Sequence, residues 1–266
     1  MASLAGKVIM ITGASSGIGA ATSLACGQMK ARVALVARRR DRLEAVAKDV
    51  RDAGGEALVV PMDLTDGAAV DALPHTVIAA WGRIDVLVNN AGRGLLARFE
   101  DTTPEELREL MELNVVSVAR LSRAVLPVMR RQGSGHLINI SSLAGRRGTP
   151  WRSAYSATKF ALGGLSESLR QELRGTGIHV SVVYPVTVPT EFHAVELRKA
   201  ASELVGPIQA PEVVARAIVR CIQRPRAAVH PYWPTYPFSL VSAAAPALAD
   251  WLVARLVPQR TGQGDS

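Results

Sequence analysis

Val8-Ile9-Met10-Ile11-Thr12-Gly13-Ala14-Ser15-Ser16-Gly17-Ile18-Gly19 is the stretch that decides the fold. Its first five residues are apolar or β-branched with no polar alternation, the pattern of a strand covered on both faces in a parallel sheet. The run stops at Gly13, and a helical pattern follows from about Ala20 to Met29. Strand, glycine-rich turn and helix in that order suit phosphate binding, because a helix N-terminus offers free N–H groups and a positive dipole end. Gly13 permits the tight turn, Gly17 lets the backbone approach a pyrophosphate, and Gly19 lets helix and strand lie close. Ser15, Ser16 and Ile18 complete the turn and join it as candidate contacts. The spacing Gly-x-x-x-Gly-x-Gly differs from the commonest dinucleotide fingerprint, Gly-x-Gly-x-x-Gly, so a plain tight turn is the alternative.

Working outward, further strands are expected at Arg32 to Ala37, Ala57 to Pro61, Ile84 to Val88, Leu137 to Ile140 and Ile178 to Tyr184, each separated by helical pattern. Such alternation predicts an α/β fold: one doubly wound Rossmann domain, with a parallel sheet of about seven strands and helices on both faces. We place this catalytic domain at 1–235, with a lid at about 190–210, and an amphipathic tail at 236–266. With 266 residues the chain can bury a sizeable core.

The strand ends carry the chemistry. After the second strand, where an acid usually holds the ribose hydroxyls of NAD, the chain reads Arg38-Arg39-Arg40-Asp41-Arg42. Arginines suit a 2′-phosphate through bidentate contacts, so NADP(H) is expected in preference to NAD(H), with Arg38 and Arg39 as its contacts. The alternative is that they cap a helix start or face solvent. Asp63-Leu64 end the third strand; Asp63 either meets an adenine amino group or caps the helix beginning near Gly67. Asn89-Asn90-Ala91-Gly92 end the fourth, where small and amide residues let a cofactor lie close.

Tyr155 and Lys159 are four residues apart and share a helix face. A phenol has a reference pKa of about 10, and a cation beside it favours the phenolate, so the pair is a candidate general acid/base. Alone, the motif reads equally as a surface Tyr and a solvated Lys. Thr103-Pro104-Glu105-Glu106 marks a helix start, and the helix is expected to run through Asn114 to about Met129. A mid-helix Asn is unfavourable, so Asn114 is either solvated or bonded to freed backbone at a kink. Ser141-Ser142 follow the fifth strand.

Together these elements resemble the short-chain dehydrogenase/reductase family: Thr12-Gly13-x-x-x-Gly17-x-Gly19, Asn89-Asn90-Ala91-Gly92, Asn114, Ser142 and Tyr155-x-x-x-Lys159, over about residues 5 to 190. The resemblance implies hydride transfer between a nicotinamide and a carbonyl or alcohol. It implies Tyr155 as acid/base and Lys159 as the group that lowers the Tyr155 pKa and holds the nicotinamide ribose. Ser142 would bind the substrate oxygen, and Asn114 would anchor a water at a helix kink. It also implies a homodimer or homotetramer through the helices around 105–130 and 155–173. After the sixth strand the family usually has Pro-Gly, whereas this chain reads Pro185-Val186-Thr187-Val188-Pro189-Thr190. Pro185, the Val188 backbone and Thr190 are expected beside the nicotinamide. Val186 would be costly at positive φ, so the path of this loop is expected to differ. The rival reading is a non-catalytic NADP-binding or membrane-associated protein whose tail makes the partner contact.

Composition narrows the field. Hydrophobic content of 48% and charged content of 20% are those of a folded domain. The net charge of +8 comes from scattered arginines, and aromatic content is only 5%, so no nucleic-acid partner is expected. Cys26 and Cys221 make neither a disulfide framework nor a metal spacing; no metal is expected, and a reducing, cytoplasmic compartment is. The first residues show no secretory signal pattern.

Beyond Thr190, a lid helix is expected over Phe192 to Leu204 and an amphipathic helix over Pro211 to Gln223. Proline-rich Pro225 to Pro237 is expected to be irregular. Phe238 to Val257 reads as one amphipathic helix that lies against the domain, a partner subunit or a membrane surface. Apolar residues in lid and tail (Phe192, Val195, Leu197, Leu204, Trp233, Phe238) point to an apolar substrate.

Overall fold

A computed structural model describes residues 3–190, 197–198 and 206–256. Its frame is a parallel sheet of β1 (Val8–Thr12), β2 (Arg32–Ala37), β3 (Glu56–Pro61), β4 (Val86–Asn89), β5 (Gly135–Ile140), β6 (Ile178–Val183) and β7 (Ala228–Val229). The seven strands lie in the order β3-β2-β1-β4-β5-β6-β7. Every residue of β1 is buried because both sheet faces are covered. Ile9 and Ile11 meet Leu43, Val46 and Val50 of α2 (Arg40–Asp52) and Val214 and Ile218 of α7 (Pro211–Gln223). Val8 and Met10 meet Val70, Leu73 and Val77 of α3 (Gly67–Trp81) and Leu121 and Val125 of α5 (Ser117–Gln132). Alternate side chains of one strand thus feed two cores, which explains the unbroken apolar run.

Successive strands lead outward from β1 to β3, then restart at β4 on the other side of β1. This reversal opens a crevice at the carboxyl ends of β1 and β4, the place where open α/β sheets take ligands. α1 (Gly17–Gly27) begins there. So does the Asn90-Ala91-Gly92 turn.

Four features differ from the expectations. First, the helix entered at Thr103 is not one α-helix. A capping box opens α4 (Pro104–Met111), with Thr103 Oγ accepting from Glu106 N at 3.2 Å and Glu106 Oε2 accepting from Thr103 N at 2.9 Å. A π-helical turn, Glu112–Val116, then separates α4 from α5. Second, the proline-rich stretch is not irregular throughout. The carbonyls of Ala227 and Val229 accept from Val182 N (3.0 Å) and Tyr184 N (2.9 Å) at the open edge of β6, which adds β7 to the sheet edge. Third, the tail is two helices, α8 (Thr235–Ala244) and α9 (Pro246–Leu256). Ala245 leaves the helical region at φ −139°, ψ 71°, as expected of a residue forced out of α geometry by the proline after it. Fourth, within the expected lid helix the described residues Leu197–Arg198 are extended and pair in parallel with Leu95–Leu96, whose edge is open to them. Phe192, Val195 and Leu204 lie outside the described residues.

Two smaller points concern single residues. Helix α3 is capped by Asp66, whose side chain accepts from Ala69 N at 3.2 Å; Asp63 is therefore not its cap. Among the described residues only Lys30 and Trp151 are non-glycine residues at positive φ, so Val186 carries no such strain.

Candidate active site

The glycine turn is closed to side chains. Gly13 and Gly17 sit at φ 65° and 56°, where an L side chain is strained. A Cβ on Gly13 would lie 2.9 Å from Ala91 Cα, and one on Gly17 2.8 Å from Thr190 Cγ2. A Cβ on Gly19 would collide with the Gly13 carbonyl. Strand end, α1, the Asn90 turn and the loop after β6 therefore meet at one point. Ser16 is the N-cap of α1 in extended geometry and makes no side-chain cap bond, and the first turn of α1 holds no acid. The Ser16 side chain thus leaves the first N–H groups of α1 uncapped, the arrangement that an anion site requires.

Thr12 holds this corner together. Its hydroxyl accepts from Asn90 N and Ala91 N, both at 3.0 Å, while the Asn90 amide donates to the carbonyls of Thr12 (3.0 Å) and Gly13 (3.2 Å). The sequence had given Thr12 no role; a hydroxyl at a strand end facing an Asn-rich turn is the signal that was available.

Arg38 and Arg39 are exposed beyond β2, and Arg39 donates to the Ser15 hydroxyl at 3.3 Å. Arg39 is also the N-cap residue of α2, although its side chain makes no cap bond. Asp63 is exposed and its carboxylate accepts from the Thr65 backbone (2.9 Å) and hydroxyl (2.8 Å). The Thr65 N–H holds the Asp63 carboxyl below the usual range, with a further pull from Arg38. Arg38, Arg39, Ser15 and Asp63 thus share one corner of the sheet. Leu64 beside them is buried.

The π turn gives Asn114 a fixed place. Its side chain is completely buried. Oδ1 accepts from Arg93 N and Nδ2 donates to Arg93 O, both at 2.9 Å; Nδ2 also donates to the Thr158 hydroxyl at 3.1 Å. Asn114 is therefore neither solvated nor bonded to its own helix: it clamps the backbone just after Gly92. A Cβ on Gly92 would stand 3.0 Å from Asn114 Oδ1 and 3.6 Å from Lys159 Nζ, so these three positions are neighbours.

Helix α6 (Ser153–Glu172) brings Tyr155 and Lys159 in at its first turns. Lys159 is 4% exposed, and its ammonium donates to the Ile140 carbonyl at 3.0 Å. Burial pushes the Lys159 pKa down to about 8. Its own carbonyl accepts from the Ser141 hydroxyl at 2.8 Å, so the end of β5 grips this turn of α6 twice. Tyr155 is 7% exposed; its ring centre lies 5.7 Å from Lys159 Nζ and 5.9 Å from the Arg152 guanidinium. Ser142 caps a short turn, Leu143–Gly145, by accepting from Ala144 N at 3.2 Å. That bond uses the oxygen and leaves the Ser142 O–H as a donor. Trp151, at φ 61° in the loop before α6, accepts from Ala97 N at 2.9 Å through its carbonyl. Pro185 accepts from Leu143 N at 2.9 Å, Val188 is buried, and Thr190 stands against Gly17.

The family model described as short chain dehydrogenase matches residues 7–200. The ketoacyl reductase HetN of Nostoc is 37% identical over 223 residues, covering 84% of this chain and 77% of that protein. A short-chain dehydrogenase/reductase from Burkholderia phymatum, solved with NAD, superposes with a TM-score of 0.85 at 26% identity, over 93% of this chain and 96% of the other. A metagenomic short-chain oxidoreductase, solved with NADP, gives 0.74 at 35% identity, over 86% and 96%. Sheet order, glycine turn and the match over most of its length lead to one conclusion: the chain belongs to the short-chain dehydrogenase/reductase family, oxidoreductases that work with a nicotinamide cofactor.

Proposed function

We propose that this protein interconverts a ketone or aldehyde and an alcohol, with NADP(H) in preference to NAD(H), on an apolar substrate. The observation that carries the reading is the convergence of Tyr155, Lys159, Ser142 and Asn114 beside the glycine turn, on three separate elements. Gly13, Gly17 and Gly19 leave room that any Cβ would fill, and the N-terminus of α1 faces it; these residues with Ser15, Ser16, Ile18, Asn90, Ala91 and Gly92 would hold the dinucleotide. A bound nicotinamide supplies or takes the hydride. Ser142 donates its O–H to the substrate oxygen and orients it. Tyr155 gives that oxygen a proton during reduction, and the nearby Lys159 ammonium stabilises the phenolate left behind. Asn114 holds the Arg93 backbone and, through Thr158, the turn that carries Tyr155.

The preference for NADP(H) rests on Arg38 and Arg39 and on the lack of an acid at the end of β2. Val188 and Thr190 are proposed beside the nicotinamide, because Thr190 reaches the glycine turn. The apolar substrate class rests on the apolar residues of the lid and tail segments, Phe192, Val195, Leu197, Leu204, Trp233 and Phe238. We place the protein in the cytoplasm as a homodimer or homotetramer; buried free cysteines and the exposed Val116 and Phe160 on the central helices support this. No described helix is long and apolar enough to cross a membrane.

The test is Tyr155→Phe. NADPH oxidation with a panel of ketones should be lost while cofactor binding, read by fluorescence, stays. Wild-type turnover in that variant would remove Tyr155 from the chemistry.

A further inference from the structure

Trp233, Tyr236, Leu240, Val241, Leu248 and Trp251 are between 39% and 75% exposed, and all lie within or just before α8 and α9. Tyr236, Leu240 and Val241 share one side of α8; Leu248 and Trp251 share one side of α9. Between Arg226 and Asp250 the chain holds no charged residue, and burial keeps its one histidine, His230, below the ordinary histidine range. Asp250 itself is neutralised by an ion pair with Arg147. Arginines flank the apolar stretch: Arg224 and Arg226 before it, Arg255 after it with its guanidinium 4.0 Å over the Trp251 ring.

This surface is tied to the substrate side of the sheet. His230 stacks on Tyr184 at 5.2 Å, Tyr236 meets His230 edge-on at 5.4 Å, and the Arg146 guanidinium covers the other ring, Tyr184, at 4.4 Å. Arg146 and Arg147 follow the turn that Ser142 caps. Helices α8 and α9 and the loop behind Ser142 are therefore one assembly.

Its chemistry decides the occupant. Helices of 10 and 11 residues are each about 15 Å long, half of a hydrocarbon core, and so lie in a membrane interface rather than cross it. Indole and phenol rings beside an uncharged aliphatic face, with arginines at the edges, match the boundary between acyl chains and anionic headgroups. A second copy of the chain fits worse. This face would bring Arg224, Arg226 and Arg255 to a second copy with no free acid to meet them, since Asp250, the one acid between Arg226 and Leu256, is already paired.

We propose that helices α8 and α9 dock in the plane of an anionic lipid bilayer and turn the substrate side of the site towards it. The second half of this statement rests on the catalytic reading above. The test uses the full chain and vesicles of phosphatidylcholine alone or mixed with phosphatidylglycerol. Wild type should sediment with the mixed vesicles, less with phosphatidylcholine alone, and less at high salt. The double variant Leu248→Ser, Trp251→Ser should lose about tenfold or more in vesicle affinity. Its solution mass and its turnover of a small water-soluble ketone should match wild type. Failure of wild type to bind mixed vesicles, or undiminished binding by the variant, overturns the proposal. A fall in solution mass gives the face to a second copy and also overturns it. Vesicle binding without turnover in either protein leaves the docking intact and removes the catalytic reading instead.

Discussion

The Asn114 amide donates to the Thr158 hydroxyl at 3.1 Å, and that hydroxyl donates to the Tyr155 carbonyl at 2.8 Å. A π turn in one helix is thereby joined to the turn of another that presents the phenol. π turns inside helices often mark functional positions. This one shifts the helix register so that Asn114 points inward and is fully buried.

Thr158→Val keeps the shape and removes the hydroxyl. One buried Asn114 N–H then lacks a partner, at about 1–3 kcal/mol. The unfolding midpoint should fall by several degrees, since about 1 kcal/mol moves a chain of this size by about 2–4 °C. Turnover should fall as well, because the Tyr155 backbone loses a tether. Thermal unfolding and NADPH oxidation read the two effects. An unchanged midpoint would mean that this hydrogen bond adds nothing.

Arg38→Asp should weaken NADPH far more than NADH. Arg38 stands free of any ion pair among the described residues, close enough to Asp63 to lower its pKa. An acid in its place would repel a 2′-phosphate and accept from a ribose hydroxyl. Titration of each dinucleotide into the apo protein gives the ratio directly. Equal losses for both would end the assignment of Arg38 to the phosphate.

How much of this could be read from the chain depends on the distance over which each element is specified. β1 and its glycine turn are local: five apolar residues and three glycines suffice, and the structure puts them at the centre of the sheet. The capping box at Thr103 is local too. β7 is not, for Ala228 and Val229 become a strand only because Val182 and Val183, far upstream, offer them an edge. The Arg147–Asp250 pair joins residues 103 positions apart and leaves no mark in either segment. Asn114 did stand out, as a polar residue in an apolar period. What it bonds to, the Arg93 backbone and Thr158, depends on three elements meeting. Pro246 was visible as an interruption, and its effect on Ala245 turned one expected helix into two.

His136 gives the acid limb of stability a specific source. It is 4% exposed in β5, with Nε2 2.7 Å from the Ser181 hydroxyl. Burial, helped by His179, pushes its pKa down to about 3 from an ordinary 6.5. The unfolded chain thus binds the proton first: the contribution is full above about 6.5 and is lost as pH falls towards 3. His136→Gln keeps a polar group for Ser181 without a titrating ring. Its midpoint should fall less steeply than that of wild type between pH 6.5 and pH 4. Parallel curves for the two proteins would exclude His136 as a contributor.

Lys159 makes the corresponding prediction on the alkaline side. Its pKa in the folded protein is about 8, against an ordinary value of 10.5, because burial disfavours the ammonium. Between those values the unfolded chain binds more protons than the folded one, so this residue makes apo stability rise as pH increases from 8 to 10.5. Below about 8 the charge stays buried and the folded state bears its full cost. Lys159→Met fills similar space with no charge to bury, although it leaves the Ile140 carbonyl without its 3.0 Å donor. The variant should be at least as stable as wild type at pH 7, should lack the rise between pH 8 and pH 10, and should lose turnover. Midpoints measured across that range on the apo proteins decide the matter. The same rise in both proteins would mean that the ammonium sits in the fold at no cost, and that another group titrates in this window.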